Sequence, residues 1–116
     1  RDCPERRALV HGDFGSNNVL TDGNRITAVI DWSEALYGDP LYELANILFW
    51  RPWLACMELQ ARWFEKHRPE LMNHRTRLRC YQLHIGLKQF RASTLAGHEA
   101  DRAWALARCT QIAHTG

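Results

Sequence analysis

The sequence predicts an α+β chain that is predominantly helical, with one small β-hairpin in front and about four helices behind it. Three observations carry that reading. Asp22-Gly23-Asn24 is a strong turn signal between two β-favouring segments, Asn18-Val19-Leu20-Thr21 and Arg25-Ile26-Thr27-Ala28-Val29-Ile30. After Asp39-Pro40 the apolar residues recur at helical rather than alternating spacing. Breakers at Arg51-Pro52, His67-Arg68-Pro69 and Gly97 then cut the helical stretch into four.

Taken in order, Ala8-Leu9-Val10 is a short apolar run ending at His11, and the hairpin follows it. Leu41, Leu44, Ala45, Leu48 and Phe49 mark the first helix. Pro52 suits the first turn of a second helix that carries Leu54, Met57, Ala61 and Phe64. The third is expected from about Arg75 to Leu95, with Leu78, Tyr81, Ile85, Leu87 and Phe90 as its apolar positions, and the fourth from about Glu99 to Ala113. Trp63 and Trp104 fall within these helical patterns and are expected in the core.

At 116 residues, with 46% apolar and 24% charged residues, the chain can supply one core but not two full domains. No stretch reaches the roughly 18 apolar residues that a membrane span requires. Arg1-Asp2-Cys3-Pro4-Glu5-Arg6-Arg7 is not a secretory signal, and without an initiator Met the reading frame is expected to begin upstream. Charge is uneven: Ile26 to Trp50 holds Asp31, Glu34, Asp39 and Glu43 with no Lys or Arg, whereas Arg51 onwards holds eleven basic residues against five acids. Those bases are scattered among acids and apolar positions, which argues for a solvated helix surface and against a nucleic-acid partner. Cys3, Cys56, Cys80 and Cys109 contain no C-x-x-C pair, so a structural zinc site is not indicated. Four reduced thiols in a cytoplasmic protein are the expectation, with neither membrane nor nucleic acid as partner.

The chemistry lies in the first forty residues. His11-Gly12-Asp13 is followed after four residues by Asn18, and thirteen residues further on by Asp31-Trp32. Phosphoryl transfer from ATP needs a carboxylate to take the acceptor's proton and hard oxygen ligands for Mg2+. The H-x-D-x-x-x-x-N spacing puts one carboxylate and one amide oxygen on a single tight loop. The hairpin can return Asp31 to the same place, so that base, amide ligand and metal carboxylate converge. The ordinary alternative for Asp13 and Asp31 is turn or helix-cap duty. Asp13-Phe14-Gly15 spells the metal-binding triplet of protein kinases, but its distance from His11 and Asn18 makes Asp13 the base candidate and Asp31 the metal candidate. His11 is read as bracing the loop.

At these residues the sequence resembles the aminoglycoside phosphotransferase family, small-molecule enzymes of kinase-like fold. The likeness is dense from Leu9 to about residue 60, including Phe49-Trp50-Arg51-Pro52-Trp53, and traceable to about residue 113. It implies Asp13 as catalytic base, Asn18 and Asp31 as Mg2+ ligands, and ATP as phosphoryl donor. Residues 1–116 would form the C-terminal, catalytic and substrate-binding lobe. Only ten residues precede His11, so the N-terminal ATP-binding lobe, with its Gly-rich loop and lysine, is expected to be missing from the chain. The isolated fragment should then be inactive and prone to self-association.

The implied acceptor is an aminoglycoside, hygromycin B first among them, and the implied role is antibiotic inactivation. Such polycations call for acidic residues and flat apolar faces. Within the acidic stretch Asp31–Glu43 the candidates are Glu34, Asp39 and Glu43, and Trp50 and Trp53 could present rings to a sugar or simply fill the core. Two other readings stand beside this one: a kinase of another small alcohol of the choline or homoserine type, and a truncated, non-catalytic module.

Overall fold

In a computed structural model, which describes residues 6–114, four short strands precede four helices. β1 (Ala8–Val10) pairs antiparallel with β4 (Leu36–Gly38), matching Leu9 to Tyr37 and Val10 to Leu36. Between them lies the hairpin of β2 (Val19–Thr21) and β3 (Ile26–Val29), with an irregularity at Leu20/Thr21. The turn is closed by Asp22, whose Oδ1 accepts the backbone N–H groups of Asn24 and Arg25 at 2.9 and 3.1 Å. The hairpin is where the sequence predicts it. The second strand pair is additional, and it encloses the hairpin and the loops on either side of it.

α1 (Leu41–Trp50), α2 (Ala55–His67), α3 (Arg75–Ala96) and α4 (Glu99–His114) follow, with a 3-10 turn over Pro69–Asn73 between α2 and α3. α1 is the hub. Its Leu44, Ala45 and Phe49 pack with Leu78 and Ile85 of α3 and with Cys109 and Ile112 of α4, and Val10 of β1 joins the same core. Close packing of α3 is permitted by Gly86: a Cβ there would stand 2.3 Å from Cys109 Sγ and 2.8 Å from Phe49 Cε2. Gly97, at φ 74, ends α3 in the left-handed conformation, and the chain folds back through His98 N–H to Ser93 O at 2.9 Å. The last carbonyls of α1 are satisfied from α4, where Arg108 donates to Phe49 O at 2.9 Å and Leu48 O at 2.8 Å.

Two expectations need correction. Pro52 is not in the first turn of α2, which begins at Ala55. The N–H groups of Trp53 and Leu54 both return to Trp50 O at 3.0 Å, and Leu54 is extended, so a separate turn stands between the helices. Trp63 is not in the core: it is 51% exposed, with its ring stacked on His67 at 4.7 Å. Trp104 is half-buried, against Phe49 and Trp50. Cys109 is buried and Cys80 exposed, while Cys3 lies outside the described residues. No described helix is long and apolar enough to cross a membrane.

Candidate active site

The loop between β1 and β2 is organised by two side chains that reach its backbone. Glu43, in the first turn of α1, accepts the N–H of His11 at 2.7 Å and that of Gly12 at 3.1 Å, one on each carboxylate oxygen. His11, 3% exposed, accepts the Asp13 N–H on Nδ1 at 3.1 Å. Its proton therefore sits on Nε2, which donates to Ile30 O at 2.8 Å. The ring thus ties the residue that precedes Asp31 to the loop that carries Asp13. Trp32 packs beside it, ring centroids 4.6 Å apart, and is fixed by its own Nε1–H to Val29 O at 2.9 Å. Gly12, at φ 84, passes so near the Glu34 carbonyl that a Cβ would lie 2.4 Å from the oxygen.

Asn18 closes the other side. It ends a 3-10 turn, Ser16–Asn18, and is buried. Its Nδ2 donates to Asp13 O at 2.7 Å and stands 3.5 Å from Asp13 Oδ2. Its own carbonyl accepts the Ile30 N–H at 2.8 Å. With Nδ2 committed to Asp13, Oδ1 is the atom a hard cation could use. Asp31 adopts φ 58, a left-handed conformation uncommon outside glycine, and its Oδ1 accepts Ser33 Oγ–H at 2.8 Å. Asp13, Asn18 and Asp31 are therefore gathered at the junction of one loop and one hairpin.

Their charges interact. Partial burial raises the Asp13 pKa, the Asn18 hydrogen bond pulls it down, and the Asp31 and Glu34 carboxylates raise it again, leaving it above the ordinary Asp value. The residue remains open to solvent, so this is an accessible carboxylate with enhanced basicity. It borders a cleft of about 260 Å³ whose walls include Glu34, Asn46, Trp50, Lys88 and Gln89. Glu34 pairs there with Lys88 Nζ at 2.9 Å.

The remaining candidates divide. Trp50 lines the cleft, stacked at 5.4 Å and 5° on Trp104. Trp53, 46% exposed, packs on both rings but stands outside the cleft lining. Asp39 stands apart from Asp13, beside a separate cavity. Its carboxylate, only 8% exposed, accepts two bonds from Arg77 at 3.0 Å, one from Tyr81 Oη at 2.6 Å and one from the Leu41 N–H at 3.0 Å. Burial pushes its pKa up, but these bonds outweigh burial and hold it below the ordinary value. Asp39 is thus an anchor between α1 and α3, with little room for a cationic ligand. Glu43 is one of the acidic pocket candidates and Trp32 follows Asp31 in the motif, but residue spacing did not single out Glu43 as a clamp on the loop backbone or Trp32 as packing on His11. An acid in the first turn of a helix reads as a response to the helix dipole, and nothing in the spacing shows that it clamps a distant backbone.

Over residues 1–81 the chain matches the phosphotransferase enzyme family, APH. It is 63% identical over 115 residues to hygromycin-B 4-O-kinase of Escherichia coli, covering 99% of this chain and 33% of that protein. It is 50% identical over 44 residues to viomycin phosphotransferase of Streptomyces vinaceus, covering 34% of this chain and 15% of that one. Among solved structures, a thermostable mutant of aminoglycoside phosphotransferase APH(4)-Ia in its apo form superposes with a TM-score of 0.87 at 66% identity, covering 96% of this chain and 38% of that one. A ternary complex of such a mutant with AMP-PNP and hygromycin B superposes equally well, at 65% identity and with 96% and 37% coverage. The chain spans about a third of the length of the E. coli relative and of these structures. Its two strand pairs and four helices share the kinase-like fold of APH(4)-Ia, and the chain belongs to the phosphotransferase enzyme family.

Proposed function

We propose that this chain is the C-terminal, substrate-binding lobe of an aminoglycoside O-phosphotransferase that uses ATP and Mg2+, with hygromycin B as acceptor. The observation that carries the reading is the junction of Asp13, Asn18 and Asp31, held by His11 and Glu43 and bordered by a cleft with acidic and indole walls. The relatives' named substrates support the acceptor class.

In this mechanism the Asp13 carboxylate accepts the proton of the acceptor hydroxyl as its oxygen attacks the γ-phosphorus, and ADP departs. The raised pKa makes Asp13 a better base. Asn18 Oδ1 and the Asp31 carboxylate would hold Mg2+. No group of three or more His, Cys, Asp or Glu side chains suited to a metal gathers among the described residues. One carboxylate and one amide oxygen fit an ion that arrives with nucleotide phosphates rather than one caged by protein alone. Bound there, Mg2+ would offset the charge of the phosphate oxygens. His11 and Glu43 orient the loop without touching the reacting atoms, and Trp50 and Glu34 border the acceptor.

The ATP phosphates would be clamped by an N-terminal lobe outside this chain. Leu9 and Tyr37, opposite each other on β1 and β4 and 68% and 72% exposed, offer that lobe an apolar face, or another copy when the fragment is alone. The test is phosphate transfer from labelled ATP to hygromycin B by the complete two-lobed protein. Asp13→Asn should cost about 10²–10⁴ in rate, and Asp31→Ala should abolish Mg2+-dependent use of nucleotide. A fully active Asp13→Asn protein overturns the assignment.

A further inference from the structure

Asn46 is an unexpected residue on the buried side of α1. It is 3% exposed, next in sequence to fully buried Ala45 and close to fully buried Phe49. Its Oδ1 accepts the indole N–H of Trp50 at 3.1 Å. An indole nitrogen can only donate, so this bond settles which end of the amide is oxygen and leaves Nδ2 facing elsewhere. Nδ2 is cut off from solvent and has no hydrogen-bond partner among the described residues. Buried amide donors without partners are uncommon, and each calls for a reason. A leucine of similar size would remove the unpaired amide donor, at the expense of the acceptor for the Trp50 indole N–H.

The reason lies in what Asn46 borders. It lines the same cleft as Asp13, Glu34 and Trp50. We propose that Asn46 is a specificity-determining residue of the acceptor site, its covered Nδ2 becoming available, as the cleft adjusts around the sugar beside Trp50, to donate to a hydroxyl or ether oxygen. An amide nitrogen can donate but not accept. It therefore favours an acceptor with an oxygen at that point and disfavours one with an ammonium group, which Glu34 and Asp13 would attract instead. The Trp50 bond has a second use, since it couples the ring to the amide so that both present to one ligand. This inference rests on the aminoglycoside reading and adds to it a residue that selects among aminoglycosides.

Two near-isosteric variants of the complete protein test it. Asn46→Asp keeps an oxygen for Trp50 Nε1 and removes the donor, while Asn46→Leu removes both polar ends. Each should raise KM for hygromycin B by about tenfold or more while KM for ATP stays unchanged. In the parent, the Asn46 side-chain amide resonances should shift when hygromycin B is added. That measurement decides the matter if neither variant folds. Unchanged acceptor KM in the folded variants, equal rises for both substrates, or unmoved amide resonances would overturn the assignment. If the parent transfers phosphate to hygromycin B and the variants match it, this inference alone falls. If the parent phosphorylates no aminoglycoside, the proposed function falls and takes this inference with it.

Discussion

Residues 8–38 and residues 41–114 are built on opposite principles. The front segment has strands of three or four residues, and most of its side chains are open to solvent. What orders it is a set of polar bonds to backbone: Glu43 to two N–H groups, His11 to Asp13 and Ile30, Asn18 to Asp13. The helical part is ordered by apolar contact around Phe49, Leu44 and Ala45. The difference shows how a basic carboxylate can be both precise in position and accessible. Apolar burial would have closed Asp13 off, whereas directional bonds to its neighbours hold the loop and leave the carboxylate in water.

The comparison can be broken most severely from the helical side. Phe49 is fully buried and touches three elements, so Phe49→Ala should lower stability by about 3–5 kcal/mol. Chemical denaturation should show that loss, while acceptor turnover per folded molecule changes little because Phe49 does not line the Asp13 cleft. A turnover defect as large as the stability defect would mean that the two regions are not separable.

Glu43 is the joint between them. Glu43→Gln keeps one oxygen but turns an N–H toward a backbone N–H, and a charge-assisted pair of this kind contributes about 1.5–3 kcal/mol. Turnover should fall more than the melting midpoint, with KM for hygromycin B changing least, since the loop loosens while the helices stay packed. A variant with unaltered turnover would show that the loop needs no clamp.

The smallest effect is expected from acid, and it reports on the helices alone. The Asp39 pKa is depressed in the folded state, so its contribution to stability is present above the ordinary carboxylate value of about 4 and is lost as pH falls through the depressed one. Denaturation curves of the parent and of Arg77→Ala should therefore converge as the pH is lowered and stay apart at neutral pH. Parallel curves across the acid range would remove Asp39 from its role as anchor.

What was legible in the sequence was local. Asp13, Asn18 and the hairpin lie within twenty residues, and the strong turn at Asp22-Gly23-Asn24 sets the return of Asp31. What was illegible depends on partners far along the chain. Asp39 reads as a pocket acid until Arg77, 38 residues away, and Tyr81, 42 away, are seen to claim it. β4 is three residues whose partner strand ends at Val10, too short to register as a pattern. Trp63 follows helical spacing, but spacing does not say which side of α2 is covered. Asn46 looks like an ordinary polar interruption, and only burial shows that its amide has been left one bond short.

The stacked indoles of Trp50 and Trp104, nearly parallel at 5.4 Å, also have an optical consequence. Two such chromophores at that distance couple their excited states, so the near-ultraviolet circular dichroism of this protein should carry a strong signature of the pair. Trp50 belongs to the cleft and Trp104 to the last helix, so on the proposed function the signal would report acceptor arrival and helix docking together, without any added label.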